Sequence, residues 1–407
     1  MPHFDAPSGA DPAVGTKLKR VIVIGTVASR DEREQRDIEL DELEELARTL
    51  GTEVLERSLI SLREPHPATF FRSGVVAAFA SHLAELESPA VLCNDQLTPR
   101  QQRNLQEEWG VPVLDRTEVI LAIFARRAIT AEGRVQVEMA QLEHLLPRLA
   151  GGWSHLERQR GGVGLRGGPG EKQIEVDRRL IRQQLKRLRA RLVVIERQRR
   201  TRRTARTNVP LASCALVGYT NAGKSTLLNV LTHSTVLADD LLFATLDPTS
   251  RRLELPSGKL VILTDTVGFI QKLPTELVEA FAATLEEVRQ AHMLCLVVDA
   301  SHPDAEQQLE TVLDTLRSME CEQPMILALS KVDRLTASEV RAARLRLGDI
   351  AGVSALAVSA TRGTGLRELR QRIDGLAAQV VPDIKANRPS AASQAVAPEA
   401  EFHTATG

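Results

Sequence analysis

Between Gly218 and Ser225 the chain reads GYTNAGKS, a GxxxxGK[ST] pattern with the apolar run Leu211–Val217 before it and the helical run TLLNVL after it. That spacing serves phosphate binding. Glycines allow a tight loop, so the backbone N–H groups of Gly218, Tyr219, Thr220, Asn221, Ala222 and Gly223 can turn inward on an anion at a helix N-terminus. Lys224 then reaches β- and γ-phosphate oxygens, and the Ser225 hydroxyl takes one coordination position on Mg²⁺.

Four further elements follow in order. The strand-like run Lys259–Thr264 ends in DTVGF, that is Asp265, Thr266, Val267, Gly268 and Phe269. An aspartate at a strand's carboxyl end can hold Mg²⁺ through water, and Gly268 has a free N–H for the γ-phosphate. The polar loop FATLDP comes earlier, with Phe243, Ala244, Thr245, Leu246 and Asp247. Its Thr245 is a second hydroxyl ligand for the metal, ordered while the γ-phosphate is present. The apolar run Met325–Leu329 leads into Ser330, Lys331, Val332 and Asp333. The Asp333 carboxylate can accept from guanine's N1–H and N2–H₂ while the Lys331 stem packs over the ring. Adenine offers no such donor pair, so this element selects GTP. A last strand, Val353–Val358, ends in Ser359, Ala360 and Thr361, whose backbone can contact the guanine carbonyl. Together the five elements indicate a GTP site, with Lys224 and Gly268 as catalytic groups and Ser225 and Thr245 as metal ligands. They supply no catalytic base.

The elements that position this site begin near residue 208, and strand and helix alternate from there to 380. That pattern predicts a G domain with a mainly parallel mixed sheet and the nucleotide outside its carboxyl edge. Upstream, the runs Val21–Gly25, Glu53–Arg57, Ala90–Cys93 and Val111–Leu114 read as buried strands. Helical patterns over Asp37–Leu50, Thr69–Leu86 and Thr98–Trp109 separate them. The expected fold class is therefore α/β, with an N-terminal α/β domain over 20–130. Two heptad seams follow, the first through Val135, Met139, Leu142, Leu146 and Leu149. The second runs through Ile174, Ile181, Leu185, Leu188, Leu192 and Ile195. They predict an antiparallel helical hairpin over 131–207 with a glycine-rich tip at 161–170. Pro147 can kink or end the first helix early. With Arg158, Arg160, Arg166 and Lys172 beside it, the tip reads as a finger for RNA. Patternless Pro- and Ala-rich stretches make 1–19 a disordered leader and 381–407 a disordered tail.

Charge is segregated along the 407 residues, although Lys+Arg 52 and Asp+Glu 53 nearly cancel. Residues 31–56 carry 11 acidic and 3 basic side chains, and residues 178–206 carry 13 basic and one acidic. The second segment calls for a polyanionic partner. No apolar run approaches the roughly 18 residues of a membrane-spanning helix, and the N-terminus lacks a secretory h-region. The four cysteines, Cys93, Cys214, Cys295 and Cys321, have no CxxC spacing, and the nine histidines have no paired metal spacing. These features describe a cytoplasmic protein of a reducing compartment, expected to be a monomer.

Motifs across nearly the whole chain resemble the HflX family of ribosome-associated P-loop GTPases. They are VGYTNAGKST, FATLDPTSR and DTVGFI in the G domain, and TPRQQRN, VLDRTEVIL, VEMAQLEHLLPRL and GGVGLRGGPGEKQIEVDRR upstream. The resemblance implies Mg²⁺-dependent GTP hydrolysis stimulated by the large ribosomal subunit, with the hairpin reaching toward rRNA. It also implies a role in translation, ribosome biogenesis, or rescue and splitting of stalled ribosomes under stress. The sequence departs from the family pattern in several places. Ser330 stands where the guanine element usually begins with Asn, and a serine is not expected to bridge base and phosphate loop as an amide does. Gly167 and Gly168 both precede Pro169, Lys172 and Val176 replace threonines, and FFRSGVV fills 70–76. Phe269 follows Gly268 where Ras-like enzymes carry a water-orienting Gln. Slow intrinsic turnover is therefore expected, as is the alternative of an RNA- or ribosome-binding protein with weak nucleotide turnover. A metabolic or signalling GTPase indifferent to ribosomes is a third class.

Overall fold

In a computed structural model, which describes residues 18–149, 169–206, 211–234, 242–243, 245–271 and 282–380, the chain builds two α/β layers. The first is a four-stranded parallel sheet, ordered β2-β1-β3-β4, of β1 (Arg20–Val27), β2 (Glu53–Ser61), β3 (Ala90–Cys93) and β4 (Val113–Asp115). Strand β1 reads RVIVIGTV because both its faces are covered. Val21 and Val23 pack with the leucines of α1 (Arg33–Thr49) and with Val119, Ile120 and Phe124 of α4 (Arg116–Arg127). Ile22 and Ile24 pack on the other side with α2 (Ser73–Glu85) and α3 (Pro99–Trp109).

Helix α2 begins four residues later than the sequence pattern suggests. Residues 66–70 instead close a tight turn, with a His66–Phe70 bridge and Phe70 at φ 62°. Side chains of α3 hold it there, Gln101 Nε2 on His66 O at 2.9 Å and Asn104 Nδ2 on Ala68 O at 2.7 Å. The FFRSGVV segment thus runs from the end of this turn into the first turn of α2.

Two helices lead on to the second layer. Thr130 caps α5 (Ala131–Arg148), which runs through Pro147, so the proline falls in its last turn. Helix α6 (Pro169–Arg206) packs against it through Ile181, Leu185 and Leu188, the middle of the expected seam. Gln184 bonds Glu138 and Arg189 pairs with Glu143, each at 2.7 Å. The finger residues Arg158, Arg160 and Arg166 lie outside the described residues, as do 1–17 of the expected leader and the expected tail. Lys172 falls within α6.

The second layer is a six-stranded sheet in the order β10-β9-β8-β5-β7-β6. Its strands are β5 (Ala212–Gly218), β6 (Thr249–Glu254), β7 (Leu260–Asp265), β8 (Met293–Asp299), β9 (Met325–Ser330) and β10 (Ala355–Ala357). All pairings are parallel except that of β6 with β7, so the sheet is mixed as expected. On one face lie α7 (Lys224–Thr232) and α11 (Leu366–Val380). On the other lie α8 (Ala282–Gln290), α9 (Ala305–Ser318) and α10 (Ala337–Ala351). Among the described residues no helix is long and apolar enough to cross a membrane.

The layers share a core. Leu242, Phe243, Leu246, Val267 and Ile270, from the loops beside the phosphate-binding motif, are buried in the cluster of the first sheet. Phe243 meets Phe124 edge-on, with ring centroids 4.7 Å apart.

Candidate functional site

Strand β5 delivers the loop. At its end, a Cβ on Gly218 would lie 2.1 Å from the Val297 carbonyl oxygen of β8, so only glycine lets the strands close. Gly218→Ala is expected to force this backbone apart and destabilise the sheet by about 1–3 kcal/mol, as overpacking does; thermal unfolding of the variant measures it. Gly223 has φ 90°, which aims the loop into α7. Lys224 opens that helix, and its Nζ donates to the carbonyl oxygens of Gly218 at 3.1 Å and Tyr219 at 2.7 Å. Burial pulls this ammonium down to about 8, and the Asp265 carboxylate opposes the fall.

Three oxygens converge beside it. Asp265 Oδ2, at the carboxyl end of β7, accepts from Ser225 Oγ at 2.6 Å and from Thr245 Oγ1 at 2.8 Å. The two hydroxyls are 2.8 Å apart. The other carboxylate oxygen, Asp265 Oδ1, is buried without a hydrogen-bond partner. Burial raises the Asp265 carboxyl, while Lys224 and the two hydroxyls hold it down. Hard oxygens alone, one carboxylate among them, suit Mg²⁺ better than a soft transition metal.

The DTVGF segment is stapled to the loop. Phe269 N donates to Gly218 O at 3.1 Å, and Thr220 N to Phe269 O at 2.8 Å. A Cβ on Gly268 would lie 2.6 Å from Thr220 Cα, so its neighbour's backbone demands glycine. Thr266 Oγ1 donates to Leu216 O at 2.7 Å. Phe269 is buried among Tyr219, Val288 and Leu294, away from any position in which it could order a water.

At the far end of the loop Ser330 Oγ lies 2.6 Å from Ala222 O and 3.1 Å from Val298 O. The serine thus does reach the phosphate loop. Its single proton is engaged there by two carbonyls, which leaves it no second donor for a base. Lys331, at φ 54°, is paired with Asp299 at 2.8 Å, and Val332 is buried behind it. Ser359 Oγ donates to Asp333 Oδ1 at 2.6 Å and lies 3.0 Å from Thr361 Oγ1, with Ala360 between. The Ser359 bond holds the Asp333 carboxyl below the usual range.

Not every expected site residue points inward. Ala244 lies outside the described residues. The Asp247 carboxylate turns to the start of α5, accepting from the backbone N–H groups of Ile129 and Thr130 at 2.9 Å each and from the Thr130 hydroxyl. Tyr219 packs beside the loop, and its hydroxyl donates to Glu42 of α1 while accepting from Gln271 N at 2.8 Å. Arg116 pairs with the same Glu42 and donates to Gln271 O at 3.3 Å and Asn94 Oδ1 at 3.0 Å. Sequence reasoning missed Glu42, Arg116, Thr130 and Gln271; none belongs to a nucleotide motif. The only available signal was that Arg116 lies in VLDRTEVIL, a stretch that carries the family resemblance.

A second polar cluster has metal-ligand types. Ligand atoms of Asp115, Glu118 and His144 lie within 4.8 Å of one another, all three residues buried. Arg148 occupies it, 2.7 Å from Asp115 and 3.6 Å from Glu118, and supplies the countercharge that a cation would. Burial pushes Glu118 up to about 7 and His144 down to about 3.

Known GTPases resemble this chain over most of its length. The family model described as "GTP-binding GTPase N-terminal" matches residues 37–125, and "GTP-binding GTPase Middle Region" matches 127–206. "50S ribosome-binding GTPase" matches 213–331. The chain is 50% identical to GTPase HflX of Magnetococcus marinus over 337 residues, 83% of this chain and 78% of that protein. It is 43% identical to GTPase HflX of Escherichia coli over 352 residues, 85% and 82% of the two chains. A crystal structure of SsGBP in complex with GDP shares the fold at TM-score 0.51 and 22% identity, over 89% of this chain and 99% of that one. With sequence identity of this extent running through both α/β layers and the helices between them, the chain belongs to the HflX family of GTPases.

Proposed function

We propose that this protein binds GTP in the β5–α7 loop and hydrolyses it to GDP in a cycle stimulated by the large ribosomal subunit. The observation that carries the reading is the meeting of Ser225 Oγ, Thr245 Oγ1 and Asp265 Oδ2, from three separate elements, beside the buried Lys224. Ser225 and Thr245 would hold Mg²⁺, with Asp265 behind them, and the ion would neutralise charge developing on the transferred phosphoryl group. Lys224 exchanges its two loop carbonyls for phosphate oxygens. The Gly268 N–H serves the γ-phosphate from the other side. Asp333, held by Ser359, reads guanine; Ser330 positions the loop through Ala222 and leaves base selection to Asp333.

Hydrolysis also needs an ordered water, and Phe269, the residue that follows Gly268, has no group to hold one. Burial of Phe269 favours slow turnover by the free protein. The ribosome is the partner that fits, because α6 carries the dense basic segment suited to rRNA phosphates. The same basic segment supports a place in translation, in ribosome biogenesis, or in rescue and splitting of stalled ribosomes under stress.

Steady-state GTP and ATP hydrolysis, with and without purified large subunits, tests this. The expected result is GTP turnover that rises at least ~10-fold with subunits, as when a partner completes a GTPase site, and negligible ATP turnover. If subunits bind without changing turnover, the reading becomes an RNA-binding protein with weak turnover. If they do not bind, the ribosomal partner is wrong.

A further inference from the structure

The loop that carries Thr245 is anchored at both ends by the first layer and its outgoing helix. Phe243 is seated against Phe124, and Leu246 is buried in the same core. Asp247, two residues beyond Thr245, sits on the N-terminus of α5, where unpaired N–H groups and the helix dipole favour a carboxylate. It accepts from Ile129 N and Thr130 N, both at 2.9 Å, and from the Thr130 hydroxyl, which itself caps the helix by accepting from Gly133 N at 2.9 Å. Gly133 makes the room. A Cβ there would lie 2.6 Å from Asp247 Oδ1 and 3.2 Å from Thr130 Oγ1.

We propose that Asp247 is a positioning residue: by docking on Thr130 and the glycine-floored start of α5, it holds Thr245 in reach of Ser225 and Asp265, and so ties the triphosphate-bound state to the placement of α5. The inference rests on the GTPase reading above. Coupling of this kind is reciprocal. A ligand that needs Thr245 in place favours the docked α5, and a partner that shifts α5, or α6 packed on it, changes affinity for that ligand by the same factor. A diphosphate, which leaves Thr245 without a γ-phosphate to close upon, is indifferent to the dock.

Gly133→Ala separates this role from a structural one. Alanine is the better helix former, and its Cβ meets the end of the Asp247 side chain first and the capping Thr130 hydroxyl less closely, so unchanged GDP binding is the control for an intact α5. In the full-length protein with Mg²⁺, a non-hydrolysable GTP analogue and GDP are titrated by calorimetry. Gly133→Ala is expected to weaken analogue binding roughly tenfold, within the usual range of coupling between sites, and to leave GDP binding unchanged. Asp247→Ala should reproduce that loss, the two substitutions together should lose no more than either alone, and neither should matter once Thr245 is alanine. Equal loss of both nucleotides, no loss of the analogue, or a loss that persists in the Thr245→Ala background overturns the proposal. If the unaltered protein binds neither nucleotide, the GTPase reading itself fails.

Discussion

Replacing Lys224 by alanine is expected to cut GTP turnover at least ~100-fold, the scale on which removal of one preorganised charge donor acts. The side chain is buried, and its ammonium is held by two backbone carbonyls of the loop that the phosphates would enter. No other lysine or arginine among the described residues of that loop can take over. The same burial gives the unaltered protein a pH signature. Free of nucleotide, Lys224 gives up its proton as pH passes about 8. Phosphate oxygens require the ammonium, so above that pH each binding event must take up a proton. Affinity should fall by up to about tenfold per pH unit there and be level, as far as this group is concerned, below it. Titration of GDP between pH 6.5 and 9.5 reads this directly. A flat profile in the unaltered protein, or unchanged turnover in Lys224→Ala, would remove Lys224 from the mechanism.

How much of this was legible in the sequence differs by level. Phosphate-loop glycines are legible because their spacing has one mechanical cause. Gly218 and Gly268 each face a neighbour's backbone at a distance that no side chain could share. The parallel strands of the first layer were legible as apolar runs, since both of their faces are covered. Strand β8, MLCLVVD, is buried throughout, but it bears no motif and a short apolar run does not by itself tell a strand from a buried helix segment. The antiparallel edge strand β6, TSRRLE, has a buried Leu253 between exposed arginines and glutamate, too little periodicity to announce itself.

The larger gap concerns contacts between layers. Glu42, one of the 11 acidic residues of 31–56, is a largely buried partner of Tyr219 and Arg116. Asp247, in a motif that reads as part of the site, serves a helix start more than a hundred residues earlier. Nothing in local composition separates such residues from their solvated neighbours. Their roles come from the tertiary approach of two elements distant in sequence, and a one-dimensional pattern does not carry that approach.

Glu42→Ala is accordingly the substitution with the largest expected effect on stability. Burial drives the Glu42 carboxyl up, and Arg116, Tyr219 and the Gln271 backbone oppose that rise. Remove the carboxylate, and the nearly buried Arg116 guanidinium loses the carboxylate paired with it. It keeps Asn94 Oδ1, Glu39 O and Gln271 O, which are neutral. Breaking one side of a buried ion pair costs about 3–5 kcal/mol, and the Tyr219 hydroxyl loses its acceptor as well. Tyr219→Phe removes only one neutral arm of the same node and should cost about 1–2 kcal/mol. The node links α1 to the phosphate loop through Tyr219 and to the segment after Phe269 through Gln271, so the loss should not stay in the first layer. Chemical denaturation of Glu42→Ala should show a lower midpoint for the chain, and nucleotide added in excess should restore less of it than in the unaltered protein. A midpoint that falls by under ~1 kcal/mol equivalent would mean that Arg116 is satisfied by its neutral acceptors. The node would then be packing with a charge at its edge, and the two layers would be joined by the Phe124–Phe243 contact and the shared core rather than by ion pairing.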